Sequence, residues 1–434
     1  MTSTAPTTAP GVSRLTALWT LAGLVLLTVN LRAAITGVAP VLGDLQDSLK
    51  LSGVEVSMLT TLPVLCLGVF ASIAPVLARR IGAEAAIAVA LVLITAGIVL
   101  RVVPAQVTLF GGTVLAGAGI AMGNVLMPAV IKRAFPRKVG SLTGLAMMLM
   151  AGSGAIAAGL AVPLDDTGGW RLALAVWAVP SLIAALVWSP LALRARRERH
   201  LSADTGERTP ATRPAAEGTL LRSPLAWYVA GFMGLASLMF YVLMSWLPQI
   251  MRDHGFAAGE AGVMVSMMML IGIPLGFATP VAAARMRHQS ALVIGMAAVM
   301  VLGIGGLIVA PSAGWLWVVF LGLGTGSAFP LAFTLLNLRS PSPMIAARLS
   351  GMAQTAGYLL AGAGPLAVGL LHDLTGGWTI SLGLLFVLIV PEVILGVLAS
   401  RPGYVRPSTT PESELEQLIE SESLIPLQEP APTR

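Results

Sequence analysis

Within Thr28-Val-Asn-Leu-Arg-Ala-Ala-Ile-Thr36 a guanidinium stands inside an apolar run, Leu15 to Leu42, that is long enough to cross a membrane as one helix. A charge near the middle of a bilayer costs roughly 2.5–3.5 kcal/mol on insertion scales, so such residues face a bundle interior or a wet cavity. At about 100° per residue, Thr28, Arg32 and Thr36 share one stripe, whereas Asn30 points about 160° away from Arg32, toward a neighbouring helix. The stripe is the candidate binding surface. Its chemistry is recognition of an anion or a strong hydrogen-bond acceptor, which the planar donor fork of arginine suits. The competing reading is a staple that only ties two helices through their carbonyls.

Other polar residues at mid-span depth repeat the i, i+4 spacing. Ser237, Tyr241, Ser245 and Gln249 share a face with Trp246 beside it; Gln354 and Tyr358 share another, followed by Gly362 and Pro365; Asn124 precedes Pro128. Tyrosine and glutamine can hydrogen-bond a small polar solute, and tyrosine and tryptophan can stack on a planar one. The expected substrate-binding set is Thr28, Arg32, Thr36, Asn124, Tyr241, Ser245, Trp246, Gln354 and Tyr358. Trp227 and Trp315, near span ends, read as interfacial anchors. Met147-Met148 and Met267-Met-Met269 read as packing filler.

Catalysis finds no support in the sequence. There is no His-Glu-x-x-His, no Gly-x-Ser-x-Gly and no phosphate loop, and all four histidines (His200, His254, His288 and His372) fall in expected loops. A single cysteine, Cys66, rules out a disulfide framework or a cysteine metal site. No cofactor or metal is expected. Glu55 and Glu84 stand at span ends, which leaves Glu392 as the one carboxylate inside a span, read as structural. Arginine does not release its proton at physiological pH. Facilitated diffusion, exchange, or coupling through a solute's own proton therefore stands level with carboxylate-based symport.

The elements that must position these residues are membrane helices. Of the 434 residues 56% are hydrophobic and only 11% charged, with 47 Gly, and the mean hydropathy is +0.86. A soluble domain cannot carry so little charge, and close-packed membrane helices need small residues. Apolar segments of spanning length count to twelve, at 17–39, 54–78, 84–103, 107–134, 140–162, 171–193, 225–250, 260–284, 290–311, 314–338, 348–371 and 377–400. The first is too long for a signal-peptide core. With the N-terminus inside, 21 of the 25 basic residues other than Arg32 fall on the cytoplasmic side, and only Lys50, Arg101, Arg171 and Arg252 fall outside. Both termini are expected in the cytoplasm. The net charge of +6 is thus explained by the membrane rather than by nucleic acid.

The longest connection, 194–223, divides the chain into two halves that resemble each other. Leu-Thr-Gly-Leu-Ala-Met at 142–147 answers Leu-Ser-Gly-Met-Ala-Gln at 349–354, and each block is followed at equal spacing by an Asp that opens a Gly-Gly-Trp turn, Asp166 and Asp373. A Gly-x-Gly precedes each block, at Gly117/Gly119 and Gly322/Gly324. The expected organisation is a disordered N-terminal tail (1–16), a six-helix bundle (17–193), a cytoplasmic linker (194–223), a second six-helix bundle (224–400) and a disordered acidic tail (401–434). Parallel six-helix repeats bind substrate near the midplane between them.

Taken together, Asn30-Leu-Arg-Ala-Ala-Ile-Thr36, Gly123-Asn-Val-Leu-Met-Pro128 leading to Ile131-Lys-Arg-Ala-Phe-Pro136, Phe240-Tyr241 with Trp246-Leu-Pro248, and Leu349-Ser-Gly-Met-Ala-Gln354 with Gly357-Tyr358 and Gly364-Pro365 resemble the major facilitator superfamily. Within it they resemble the branch named for the cyanate transporter and a nitroimidazole exporter. The resemblance implies an all-α integral membrane fold of two pseudo-symmetric six-helix bundles. It also implies alternating-access transport of a small polar or anionic solute across a bacterial inner membrane, by a monomer whose partners are that solute and lipid. Three positions depart from the pattern. Arg79-Arg80-Ile-Gly82 lacks the acid of the usual Asp-Arg-x-Gly loop, and Ala236 and Thr325 stand where the branch often has glutamine. The rival expectation is a membrane receptor that binds a solute without moving it.

Overall fold

In hydrocarbon every backbone N–H and C=O must find its partner inside the chain, which leaves helices as the spanning form for apolar runs of this length. The computed structural model describes residues 14–204 and 219–406, and these form fourteen α-helices and no β-strand. In order they are α1 (Arg14–Thr36), α2 (Leu42–Leu49), α3 (Gly53–Ala71), α4 (Ile73–Ile81), α5 (Ala83–Arg101), α6 (Gln106–Ala134), α7 (Val139–Ala175), α8 (Ala178–Asp204), α9 (Pro224–Asp253), α10 (Ala258–Arg285), α11 (Ser290–Val309), α12 (Gly314–Leu338), α13 (Pro343–Thr375) and α14 (Thr379–Ala399). α3 and α4 meet at a 49° bend and together make the second crossing. α2, with 8 residues, is too short to cross, so the expected twelve crossings stand.

The glycine repeat has a packing cause. In the first half Gly117 of α6 lies against Cys66 of α3, and Gly119 against Ala90 and Ile94 of α5. In the second, Gly322 of α12 lies against Met268 and Ile271 of α10, and Gly324 against Met296 and Met300 of α11. The fourth crossing of each half thus packs on the second and third of the same half through equivalent glycines.

The halves meet where the fifth crossing of each lies on the second crossing of the other. α7 packs on α10, and α13 on α3 and α4. Gly140 and Gly144 approach Pro280 and Phe277, while Gly351 approaches Ala71 and Pro75. All of these lie toward the end that carries Arg79, Lys132, Arg137, Arg285 and Arg348, the basic end. Toward the opposite end the facing stripes of α7 and α10 become exposed. On α7 the stripe buried at Gly140, Gly144 and Met147 continues into exposed Ala151 and Ala155, and on α10 buried Pro280 and Gly276 give way to exposed Met269 and Ser266.

Several expectations are corrected. The apolar run from Leu15 to Leu42 does not stay helical: α1 ends at Thr36, and Pro40 sits in a 3-10 turn. Gly37 and Pro40 are poor helix continuers, so Arg32 stands one turn from the end of α1 and not at mid-span. Arg101, expected at the outer end of the third span, is not exposed there: it closes α5 and is 2% exposed. Close α5–α6 packing seals it in, since a Cβ at Gly97 would lie 2.4 Å from the Ala116 nitrogen. α8 continues to Asp204, so the expected linker begins as helix; residues 205–218 lie outside the described residues. His200 and His372 are helical rather than in loops. The expected acidic tail starts ordered: Val405 is buried and its N–H donates to the Arg339 carbonyl at 2.8 Å. The expected disorder of 1–13 and 407–434 falls outside the described residues.

Candidate functional site

Arg32 is the centre of the candidate site. Its guanidinium is partly exposed and makes no hydrogen bond or ion pair among the described residues, while its Cβ side rests on α7, where a Cβ at Gly154 would meet Arg32 Cβ at 3.5 Å. An arginine that only stapled helices would spend its donors on carbonyls, as Arg101 does. The Arg101 Nη1 donates to the Ala34 carbonyl at 2.6 Å and Nε to Thr113 Oγ1 at 3.1 Å. Of the two arginines, Arg101 is the staple and Arg32 is the one left free to bind.

From the second half, Tyr358 of α13 is 3% exposed and stands within electrostatic reach of both Tyr241 on α9 and Arg32 on α1. Residues more than 200 positions apart in sequence are thus brought together from both halves. Tyr241 is partly exposed and meets Phe240 edge-on at 5.5 Å between ring centroids. A cation and a second phenol within electrostatic reach of Tyr358, with no carboxylate among the groups that act on it, suit an anion or a planar acceptor.

Elsewhere the expected residues divide. Thr36 is partly exposed beside Arg32, and its hydroxyl lies 3.2 Å from the Arg32 carbonyl and 3.0 Å from the Gly154 carbonyl, tying α1 to α7. Thr28 is fully buried and donates to the Val25 carbonyl at 2.9 Å, so it turns away from any space between the halves. Asn30, as its angle predicts, joins a neighbour: Nδ2 donates to the Pro180 carbonyl of α8 at 3.2 Å. Trp246 is held in the wall, its Nε1 donating to the Pro365 carbonyl at 2.8 Å and its ring 5.5 Å from that of Trp378. Ser245 is exposed. Ser237 is buried and bonds the Met233 carbonyl, and Gln249 Nε2 donates to Asp253 Oδ1 at 2.8 Å; neither joins Arg32.

Two of the expected site residues are buried and keep a free acceptor. Asn124 is 3% exposed with no partner for Oδ1, and Gln354 is fully buried, its Nε2 donating to Ser350 Oγ at 2.7 Å while Oε1 has no protein partner. Buried polar atoms are normally paired, so these are available to a solute or to water when the helices move. At the positions of departure, Ala236 is buried and Thr325 spends its hydroxyl on the Leu321 carbonyl, so neither adds polarity to the site.

Groups at the basic end decide how the halves separate, and the sequence reading passed over them. Lys132 Nζ donates to the Asn337 carbonyl at 2.7 Å, the first half reaching the second. Arg79 and Arg348 bring like charges together across the same seam. The missing loop acid has a substitute two residues beyond Gly82: Glu84 Oε1 pairs with Arg133 Nη1 at 2.6 Å, inside the first half. Lys132 and Arg133 ending a span were the available signal.

Glu392 of α14 is 7% exposed and makes no hydrogen bond or ion pair among the described residues. One turn on, Gly396 rests on Val293 of α11 and Phe232 of α9. Glu392 therefore belongs to a helix contact within the second half.

The family model described as Major Facilitator Superfamily matches residues 24–365. Among curated relatives, the uncharacterized transporter YycB of Bacillus subtilis (strain 168) is 38% identical over 91% of this chain and 97% of its own length. The 2-nitroimidazole transporter of Escherichia coli (strain K12) is 36% identical over 89% and 96%, and the cyanate transport protein CynX of the same organism is 29% identical over 82% and 90%. Among solved structures, the proton:xylose symporter XylE superposes with a TM-score of 0.71 at 14% identity, covering 93% of this chain and 98% of that one.

Proposed function

Because the chain belongs to the Major Facilitator Superfamily, and so is a multi-pass membrane transporter of small solutes rather than a receptor, we propose that it carries a compact anion or planar hydrogen-bond acceptor past Arg32, Tyr241 and Tyr358. The observation that carries this reading is the unpaired Arg32 guanidinium of one half, set within reach of the phenol of the other. The relatives named for 2-nitroimidazole and cyanate fit the same chemistry, since one molecule is a planar ring and the other a small anion.

The basic end is the cytoplasmic one by the distribution of Lys and Arg, which puts both termini inside a bacterial plasma membrane. Closure at that end and parting at the other make this the outward-facing state. Transport then requires the Lys132–Asn337 contact and the glycine seams to part while the opposite ends of α7 and α10 close. The like charges of Arg79 and Arg348 favour that parting. The candidate site draws its residues from the two halves of one chain, which supports the monomer as the working unit. With Glu392 inside a helix contact of the second half, uniport, exchange or coupling through the solute's own proton fits better than carboxylate-based symport.

Purified protein in liposomes, assayed by counterflow of labelled cyanate and 2-nitroimidazole, tests this. We expect saturable counterflow of at least one of them and, in Arg32→Ala, a loss of affinity of at least about ten-fold, the scale of a hydrogen bond to a charged group at 1.5–3 kcal/mol. Wild-type affinity in a folded Arg32→Ala protein would return Arg32 to a structural role.

A further inference from the structure

At the basic end of the second half, the start of α9 and the chain leaving α14 enclose a recess of about 540 Å³. Its polar lining is Arg222, Arg401 and Arg406 with Ser223, Tyr228 and Tyr404, and no acidic residue lines it. None of the three arginines makes an ion pair or a side-chain hydrogen bond among the described residues. Between Thr219 and Arg406 the only acidic residues are Asp253, Glu260, Asp373 and Glu392. The first three lie at the opposite end, and Glu392 is inside α14, so among the described residues of this half no acid near the recess compensates the charge.

Two further features indicate what the recess takes. Ser223, the residue before α9, leaves its side chain out of any capping bond, so the positive end of a 30-residue helix opens into the recess and favours an anion. Beside it Trp227 is 47% exposed, its Nε1 donating to the Leu221 carbonyl at 2.7 Å. A half-exposed indole with its N–H turned to a carbonyl of the turn before α9 belongs at headgroup depth. The remaining lining includes Leu225 and Leu398, which is apolar surface on the membrane side of the arginines.

We propose that this recess binds the headgroup phosphate of an anionic glycerophospholipid, with the phosphodiester among Arg222, Arg401 and Arg406 and the glycerol and first acyl carbons against Leu225 and Leu398. The lipid would bridge the first helix of the second half to its last. This holds whichever solute is carried, because the recess lies apart from Arg32.

The test is lipid retention by the purified full-length protein in detergent, read by native mass spectrometry after addition of phosphatidylglycerol or phosphatidylcholine. We expect preferential retention of phosphatidylglycerol, weakened roughly five-fold for each arginine changed to glutamine and abolished in R222Q/R401Q/R406Q, with phosphatidylcholine unaffected. The single variants Arg222→Gln and Arg401→Gln keep the test decisive if the triple variant fails to fold. Equal retention by wild type and variants would overturn the proposal. So would displacement of the lipid by millimolar inorganic phosphate, which would make the ligand a diffusible anion. Phosphatidylglycerol binding only after removal of residues 407–434, with their six glutamates, would also overturn it, by assigning the recess to the chain's own tail.

Discussion

Gly144 of α7 lies so close to Phe277 of α10 that a Cβ at Gly144 would stand 2.7 Å from the Phe277 carbonyl oxygen. Its counterpart in the second half, Gly351 of α13, would place a Cβ 2.7 Å from Pro75 Cγ. The repeated Leu-x-Gly-x-Ala block therefore marks two equivalent places where the halves touch at the basic end, and the missing side chains are what let the helices approach there.

Adding a methyl group at either glycine should open the cytoplasmic end. Overpacking a tight contact costs about 1–3 kcal/mol, so Gly144→Ala or Gly351→Ala should shift the balance between the two states about five- to 150-fold toward inward-facing. In a Cys66→Ser background, a cysteine at Thr143, which is 1% exposed in this state, should gain reactivity toward a cytoplasmic thiol reagent when Gly351 becomes Ala. Unchanged labelling would show that the seam tolerates the methyl group.

Removing either phenol hydroxyl should weaken solute binding without unfolding the protein. Tyr241→Phe and Tyr358→Phe each keep the ring and lose one neutral hydrogen bond, worth about 0.5–1.5 kcal/mol, so affinity should fall about two- to thirteen-fold. Affinity measured by thermal shift in the presence of solute checks this, and the loss should be smaller than in Arg32→Ala.

Glu392→Gln should still transport. The substitution keeps shape inside the α9–α11–α14 contact and removes only the ability to ionise. Solute accumulation driven by an imposed pH gradient, compared in wild type and variant, is the measurement; loss in the variant alone would place a coupling proton on α14.

Beyond the apolar part of α7, the carboxyl of Asp165 is pushed up to about 6 by a hydrogen bond with Asp44 of α2, by burial, and by the charges of Asp44 and Asp166. A carboxyl that holds its proton more tightly folded than unfolded adds stability at low pH, and loses it as pH rises through the folded value. Thermal stability should therefore decline as pH rises from about 4 to 6, and Asp165→Asn should flatten that slope. An equal slope in the variant would assign it to other groups.

Much of the fold was legible before any coordinate, for a reason peculiar to membranes. Apolar length counts crossings because a continuous apolar run of about twenty residues satisfies its backbone in lipid as a helix, and the pairing of Gly117/Gly119 with Gly322/Gly324 is visible as a repeat. Arg32 declared itself as well, since an intramembrane charge without an acid nearby in sequence has few structural uses. Angular position on a helix was equally readable: Asn30 was expected to leave the stripe, and it bonds α8.

Which neighbour occupies each angle was not readable, because helical periodicity gives a direction but not the partner found there. Thr28 shares the stripe of Arg32 yet is buried against its own helix; Trp246 has the right face but is tied to Pro365; Arg101 counted as an outer span-end charge and is a sealed staple. The sequence by itself determined the crossings, the internal repeat, the charge asymmetry and the cation proposed to meet the solute. Only the tertiary structure decided that Tyr358 comes within electrostatic reach of Arg32 across more than 300 residues and that the glycine contacts between the halves lie at the basic end. Such contacts depend on how two separately packed bundles lean on each other, and no local spacing encodes that angle.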